Sequence, residues 1–294
     1  MAIGGIDHVV WEAQDLEAAR SRFRDLGFTL TPPALHPFGT GNSLAQFPCS
    51  FIELLSVVEP AKIVPRDADR FSFSALAADF LEKREGVSML VLSSDDARAD
   101  NAAWQARGLP TYEVIDFERK AKLPDGGEAR VAFSIAFALD PAMPEIAFFV
   151  CQQHAPEFFW KPDYQRHRNA ALDISRVTLV AEEPARHSAF FEKFLIGGSI
   201  SLDGDRLRAK SVRGAIDVLS PAGAREIFPE GTLPSALPGG GFAAVHLGSA
   251  DLARTRALLE AAGIDALCEA ERIVVPASTA LGAALVFETV APAR

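Results

Sequence analysis

Short apolar runs in this chain are repeatedly followed by an acidic residue, a helical stripe and a glycine. The first is Gly5-Ile6-Asp7-His8-Val9-Val10, which reads as a strand with one imidazole in it. Asp15 then stands where a helix begins, Leu16, Ala19, Phe23 and Leu26 recur at helical spacing, and Gly27-Phe28 closes the unit. Asn42–Phe47 and Ser50–Val57 follow as candidate strands, with Pro48 and Cys49 marking the turn between them.

This phrase returns three more times. Val87–Leu92 leads to Asp96 and a stop at Gly108, with later strands Ala129–Ile135 and Glu145–Val150. Ile174–Val180 leads to Glu183-Pro184, an acidic cap with proline at the first helical position, and a stop at Gly197-Gly198. Its later strands are Arg206–Ala209 and Ala215–Leu219. Phe242–Leu247 leads to Asp251 and Gly263, and then to Ile273–Val275 and Ala284–Glu288. Cap and stop are twelve residues apart in copies one, two and four. Residues 59–85 are a connection holding one extra helix, and the aromatic stretch 154–171 is a second connection, of the kind that covers a core edge or a pocket mouth.

Each copy is one strand, one helix and about three further strands, a unit that cannot bury both sheet faces alone. The expected fold is therefore α+β: four βαβββ modules paired into two cups of curled antiparallel sheet with helices outside. The division is placed near residue 165, giving 1–165 as the active half and 166–294 as a degenerate or scaffolding half.

Composition narrows the class without naming a reaction. Nearly half of the 294 residues are hydrophobic, yet no run is long enough to span a bilayer, and Met1–Gly4 has no secretory character. A net charge of −10 argues against a nucleic-acid surface. Cys49, Cys151 and Cys268 form neither a disulfide framework nor a zinc spacing. A cytoplasmic protein with a small-molecule partner is expected, with no nucleic acid and no membrane; a homodimer is left open. No phosphate loop is present, because Pro238-Gly239-Gly240-Gly241 leads into a strand.

The repeats, the Asp-His opening, the run His36-Pro37-Phe38-Gly39-Thr40-Gly41-Asn42 and the strand Phe51-Ile52-Glu53-Leu54-Leu55 resemble the vicinal oxygen chelate superfamily, in its glyoxalase-like branch. Glyoxalases, extradiol dioxygenases and bleomycin-resistance proteins belong to that superfamily. The resemblance implies glyoxalase-like cups and a divalent metal (Fe, Mn, Ni, Co or Zn) held by His8 and Glu53. Glu53 would double as a base on a substrate C–H, and His36, Thr40, Asn42 and His154 would contact a small oxygen-rich substrate. Isomerase, lyase or ring-cleaving dioxygenase chemistry is implied; the alternative is metal-free sequestration of a small molecule. From the residues alone, His8 is equally readable as a strand-end histidine bonded to backbone, and Glu53 as half of a structural salt bridge.

Counting back from the helix caps, His8 corresponds to Met89, Arg176 and Ala244, and Glu53 to Ala147 and Asp217. Glu145, on the strand face of Ala147, is a further inward candidate. His246 reads as a core or interface residue, because copies three and four then lack a His–Glu couple. Arg176 and Asp217 are expected to pair where the second cup would hold a metal. His167 and His187, among charges, are expected at the surface, and His154 and Trp160 either to cap the first cup or to pack between the halves.

Overall fold

The computed structural model describes residues 4–67, 70–122 and 128–289; Met1–Ile3, and with them the start of the N-terminal segment, lie outside these. The first module is β1 (Ile6–Glu12), α1 (Leu16–Asp25), β2 (Ala34–Leu35), β3 (Thr40–Gln46) and β4 (Phe51–Val57). After α2 (Phe73–Leu81) come β5 (Gly86–Ser93), α3 (Ala97–Ala106), β6 (Ile115–Lys122), β7 (Glu128–Ala138) and β8 (Ala147–Gln153). A short α4 (Pro156–Phe159) leads to β9 (Ala171–Val180), α5 (Ser188–Phe194), β10 (Ser199–Asp203), β11 (Arg206–Lys210) and β12 (Ala215–Leu219). The last part is α6 (Pro221–Ile227), β13 (Gly241–Ser249), α7 (Leu252–Ala261), β14 (Leu267–Cys268), β15 (Arg272–Val275) and β16 (Ala284–Thr289).

Helix starts follow their caps. Asp15, Asp96 and Asp251 each accept backbone N–H groups of the first turn, from Ala18, from Arg98 and Ala99, and from Arg254. Glu183 departs from expectation. Its side chain caps nothing, and Pro184–His187 form a 3-10 turn before α5 begins.

The strands make two eight-stranded sheets of the same order, β2-β3-β4-β1-β5-β8-β7-β6 and β10-β11-β12-β9-β13-β16-β15-β14. In each sheet the two modules meet first strand to first strand, antiparallel, while each first strand pairs parallel with its own module's last. The architecture is the expected α+β fold of paired βαβββ modules in two glyoxalase-like cups.

Alternation along the strands decides what lies where. Val9 and Trp11 of β1 join one continuous core that takes in Phe148, Phe191, Phe194, Val245 and Phe287 from both halves. Val10 faces the other way, into a separate apolar lining of the first cup with Met89, Val91 and Phe149. The cups thus stand back to back: α1, α3, α5 and α7 cover convex faces that also meet each other, while α2, α4 and α6 pack on the cup sides. Trp11 Nε1 donates to the Leu281 carbonyl across this seam at 2.7 Å, and Phe148 touches Phe190, Phe191, Phe194 and Phe242. His167 and His187 are buried, against expectation. His167 Nε2 lies 2.7 Å from the Gln46 carbonyl and His187 Nδ1 lies 2.6 Å from Asp140 Oδ2, so each imidazole finds its partner far along the chain and not among the charges beside it in sequence.

Candidate functional site

Strand pairing fixes which side chains meet inside each cup. Glu53 of β4 lies opposite Val10 of β1, two residues beyond His8, so imidazole and carboxylate point into the same hollow. His8 Nε2 is 3.6 Å from Glu53 Oε2. β1 slips register against β5 between Ile6 and His8. Such a bulge re-aims side chains, and Asp7 here reaches His8 Nδ1 at 2.7 Å. Because a carboxylate only accepts, the His8 Nδ1 carries the proton and Nε2 is turned to the cavity. The His8 ring also stacks on Phe51 at 4.2 Å.

The loop before β3 supplies a second imidazole. His36 Nδ1 lies 2.8 Å from Thr40 Oγ1, and Asn42 Nδ2 reaches both His36 Nε2, at 3.3 Å, and Glu53 Oε1, at 2.6 Å. Burial pushes His36 down to about 4, so the ring is neutral near pH 7; Glu53 opposes that shift. Thr40 supports His36 and does not line the cavity.

The cavity measures about 50 Å³, room for roughly four waters at ~10–15 Å³ each. Its walls are aromatic, with Phe38, Phe51, Phe73, Phe117, Phe133 and Phe149 among them. Arg119 of β6 and Cys151 of β8 also face it. Among the described residues Arg119 has no ion-pair partner within 4 Å; burial lowers its pKa, and the Glu53 charge works the other way. Burial, then the charges of Asp7 and Glu53, hold the Cys151 thiol well above its usual range. Arg119 and the places of Asp7 and Cys151 at this site are not foreseen from the sequence. The alternation of Ile115, Phe117 and Arg119 was the available signal for the first of them.

Of the expected contacts, His154 stands apart. It is exposed and its Nε2 lies 2.8 Å from Ser134 Oγ, away from the cavity lining. Glu145 points outward to Lys83 and Arg84 at 2.7 and 2.6 Å. Trp160 packs edge-on against Phe51 beside the first cup.

The same register rule locates the counterparts in the other modules. Cys151 lies opposite Ser93, two beyond Val91; Asp217 lies opposite Thr178, two beyond Arg176; Glu288 lies opposite Gly248, two beyond His246. The fourth module therefore does carry a His–Glu couple, with His246 Nδ1 2.7 Å from Glu288 Oε1. The alignments to Met89, Ala147 and Ala244 are displaced. The inward residue lies seven positions before the helix cap in modules one and three, but five before it in modules two and four. Arg176 pairs with Glu288 and lies 3.7 Å from Asp217, filling the middle of the second cup as expected.

A divalent ion is what the fold family implies at the first cup, and the donors there fit it incompletely. His8 Nε2 and Glu53 Oε2 converge, but Asn42 places an amide N–H on His36 Nε2 and on Glu53 Oε1, occupying the lone pairs a metal would take. The second module adds Phe149 and the high-pKa thiol of Cys151, and no group of three His, Cys, Asp or Glu suited to a metal occurs among the described residues.

Comparison with known proteins agrees with this architecture. A crystallised hypothetical protein from Staphylococcus aureus superposes with a TM-score of 0.70 at 15% identity, over 97% of this chain and 99% of that one. The Mn(II)-bound glyoxalase from Novosphingobium aromaticivorans gives 0.55 at 12% identity, over 98% and 82%. A mutant 4-hydroxymandelate synthase from Streptomyces coelicolor gives 0.53 at 13% identity, over 100% and 95%. Nothing matches among curated protein sequences. The family model described as a glyoxalase-like domain matches residues 6–195, two modules with the first strand and helix of the third, and on that match the chain belongs to the glyoxalase-like domain family of the vicinal oxygen chelate superfamily.

Proposed function

We propose that the first cup is the active site of an enzyme that moves a proton on a small carboxylate-bearing carbonyl compound, with Glu53 as the base. One observation carries this reading. Among the described residues Glu53 is buried with only Oε1 hydrogen-bonded and Arg119 has no ion-pair partner, and both side chains line the same cavity. A carboxylate kept in an apolar hollow with one oxygen uncommitted is costly, and proton abstraction is a use for that oxygen. Arg119 suits a substrate carboxylate or a developing enolate oxygen, which a guanidinium stabilises most strongly away from water. His8, oriented by Asp7, has Nε2 placed to exchange a proton with Glu53 or with substrate. The cavity volume favours compounds of few heavy atoms, such as short 2-oxo acids.

A divalent ion at His8 and Glu53 is the variant of this reading that the Mn(II)-bound neighbour suggests; bound there it would polarise a substrate oxygen as a Lewis acid. The proton-transfer roles of this chain's own residues are the same in either case.

The test is deuterium uptake at C3 of pyruvate and 2-oxobutyrate in D2O, followed by NMR, with chelator-treated protein and with added Mn2+. Wild-type protein accelerates uptake, and Glu53→Gln lowers the rate by about 10²-fold or more. Equal rates in the two proteins remove Glu53 as the base. Saturable binding of these acids with no exchange in either protein returns the chain to the sequestration alternative.

A further inference from the structure

The second cup holds a separate cleft of about 340 Å³, lined by Ser175, Arg176, Arg208, Lys210, Ser211 and Glu288 among others. Alternation on β11 sends Leu207 and Ala209 into the shared core and Arg206, Arg208 and Lys210 to the cup side. Arg206 Nη2 and Arg208 Nε reach Asp217 at 2.5 and 2.7 Å, and Arg176 pairs with Glu288. Three arginines thus share two carboxylates, an excess of positive charge in a chain whose net charge is −10. Lys210 has no ion-pair partner among the described residues and borders the cleft beside the Ser211 hydroxyl. The Nε atoms of Arg176 and Arg206 are buried without a hydrogen-bond acceptor.

Shape confines this charge to one end of the cup. Phe228, which follows α6, and Leu233 of the next connection pack with Ala244, Val274 and Val286 and fill the side formed by β13, β15 and β16. The side formed by β9, β11 and β12 is left open. The His246–Glu288 couple lies at the boundary, and Thr178 Oγ1 closes off His246 Nε2 at 2.9 Å. The Glu288 carboxylate at the cleft is held by Arg176 and His246, so what this cup offers a ligand is chiefly guanidinium and ammonium N–H groups.

We propose that the C-terminal cup is a second ligand site, binding a small polyanion that carries a phosphate or a pair of carboxylates, with Lys210, Arg208 and Arg176 as its cationic contacts. Arg208 keeps Nη1, and Lys210 its whole ammonium, for the ligand, since the bonds of Arg208 to Asp217 use Nε and Nη2. Asp217 is the buried counter-charge that holds the arginines in place when no ligand is bound. The site is independent of Glu53, which belongs to the other cup.

Calorimetric titration of the full chain at low ionic strength with sodium phosphate, pyrophosphate and citrate tests this, the inorganic and carboxylate arms separating the two ligand chemistries. One saturable site per chain is expected. Lys210→Ala, at an exposed position with no ion-pair partner among the described residues, weakens the binding about tenfold; Lys193→Ala, a half-buried lysine of α5 that bonds the Gly108 carbonyl away from this cleft, and Glu53→Gln leave it unchanged. Absence of saturable binding in wild type overturns the proposal, and so does equal weakening by Lys193→Ala and Lys210→Ala, which reports only general charge. Unchanged thermal unfolding of Lys210→Ala without ligand keeps a folding defect from mimicking the expected result.

Discussion

At the scale of single residues, the first sheet holds a second buried glutamate besides Glu53. Glu12 ends β1 fully buried, with Oε1 taking a hydrogen bond from Ser88 Oγ at 3.0 Å and Oε2 without a partner. Burial is the main reason its pKa rises from 4.5 to about 8; the bond from Ser88 opposes the rise and the charge of Glu53 adds to it. Below pH 4.5 both folded and unfolded chains carry the proton. Between 4.5 and about 8 only the folded chain carries it, so the stability this proton contributes is lost as pH rises through that window. The whole effect is about 5 kcal/mol at about 1.4 kcal/mol per pH unit. Glu12→Gln removes the titration. Its melting temperature relative to wild type is expected to climb from pH 5 to about pH 8 and to level off above that, and a constant offset from pH 5 to pH 9 would rule out Glu12 as the titrating group. Residue by residue, the sequence was most readable where one local pattern names one position: His8, Glu53 and the seven-residue run from His36 to Asn42. Asp7 and Arg119 escaped it because their roles come from a bulge and from a strand far away in the chain. His246 and Glu288 escaped because the even modules enter their helices two residues sooner, a difference of backbone path that no residue type marks.

Elements were legible wherever an apolar stripe repeats. The inner strands and the Asp-capped helices stand where alternation and the cap-to-glycine spacing placed them. The edge strands did not announce themselves. β6 reads Ile-Asp-Phe-Glu-Arg-Lys-Ala-Lys and β10 reads Ser-Ile-Ser-Leu-Asp, with charges and hydroxyls suited to an unpaired edge. The turn carrying Gly282 shows how tightly elements of opposite halves approach. Its φ is +90°, and a Cβ there would lie 2.1 Å from the Glu85 carbonyl oxygen, just before β5. Gly282→Ala is expected to cost at least about 2 kcal/mol, from left-handed strain together with displacement of the turn. Chemical denaturation measures this, and a loss below about 0.5 kcal/mol would mean the seam yields easily.

For the molecule as a whole, the shared core outweighs the division into halves. Phe148 of β8 is fully buried beneath Phe190, Phe191 and Phe194 of α5 and Phe242 of β13. Phe148→Ala is expected to cost about 3–5 kcal/mol. Because the contact joins both sheets, heat unfolding is expected to stay a single transition in the variant. Two separated transitions in calorimetry would show the halves to be energetically independent. The family match ending at residue 195 fits this picture, since it stops just after the helix that covers Phe148.

The back-to-back seam has a practical corollary. Severing the chain near residue 165 would strip α5 and the second sheet from the first and bare its greasy back, so the fragment would clump before it could be assayed. Each cup has to be silenced by a single substitution in an intact polypeptide, and any coupling between them has to be sought there, since neither half offers a free-standing copy for comparison.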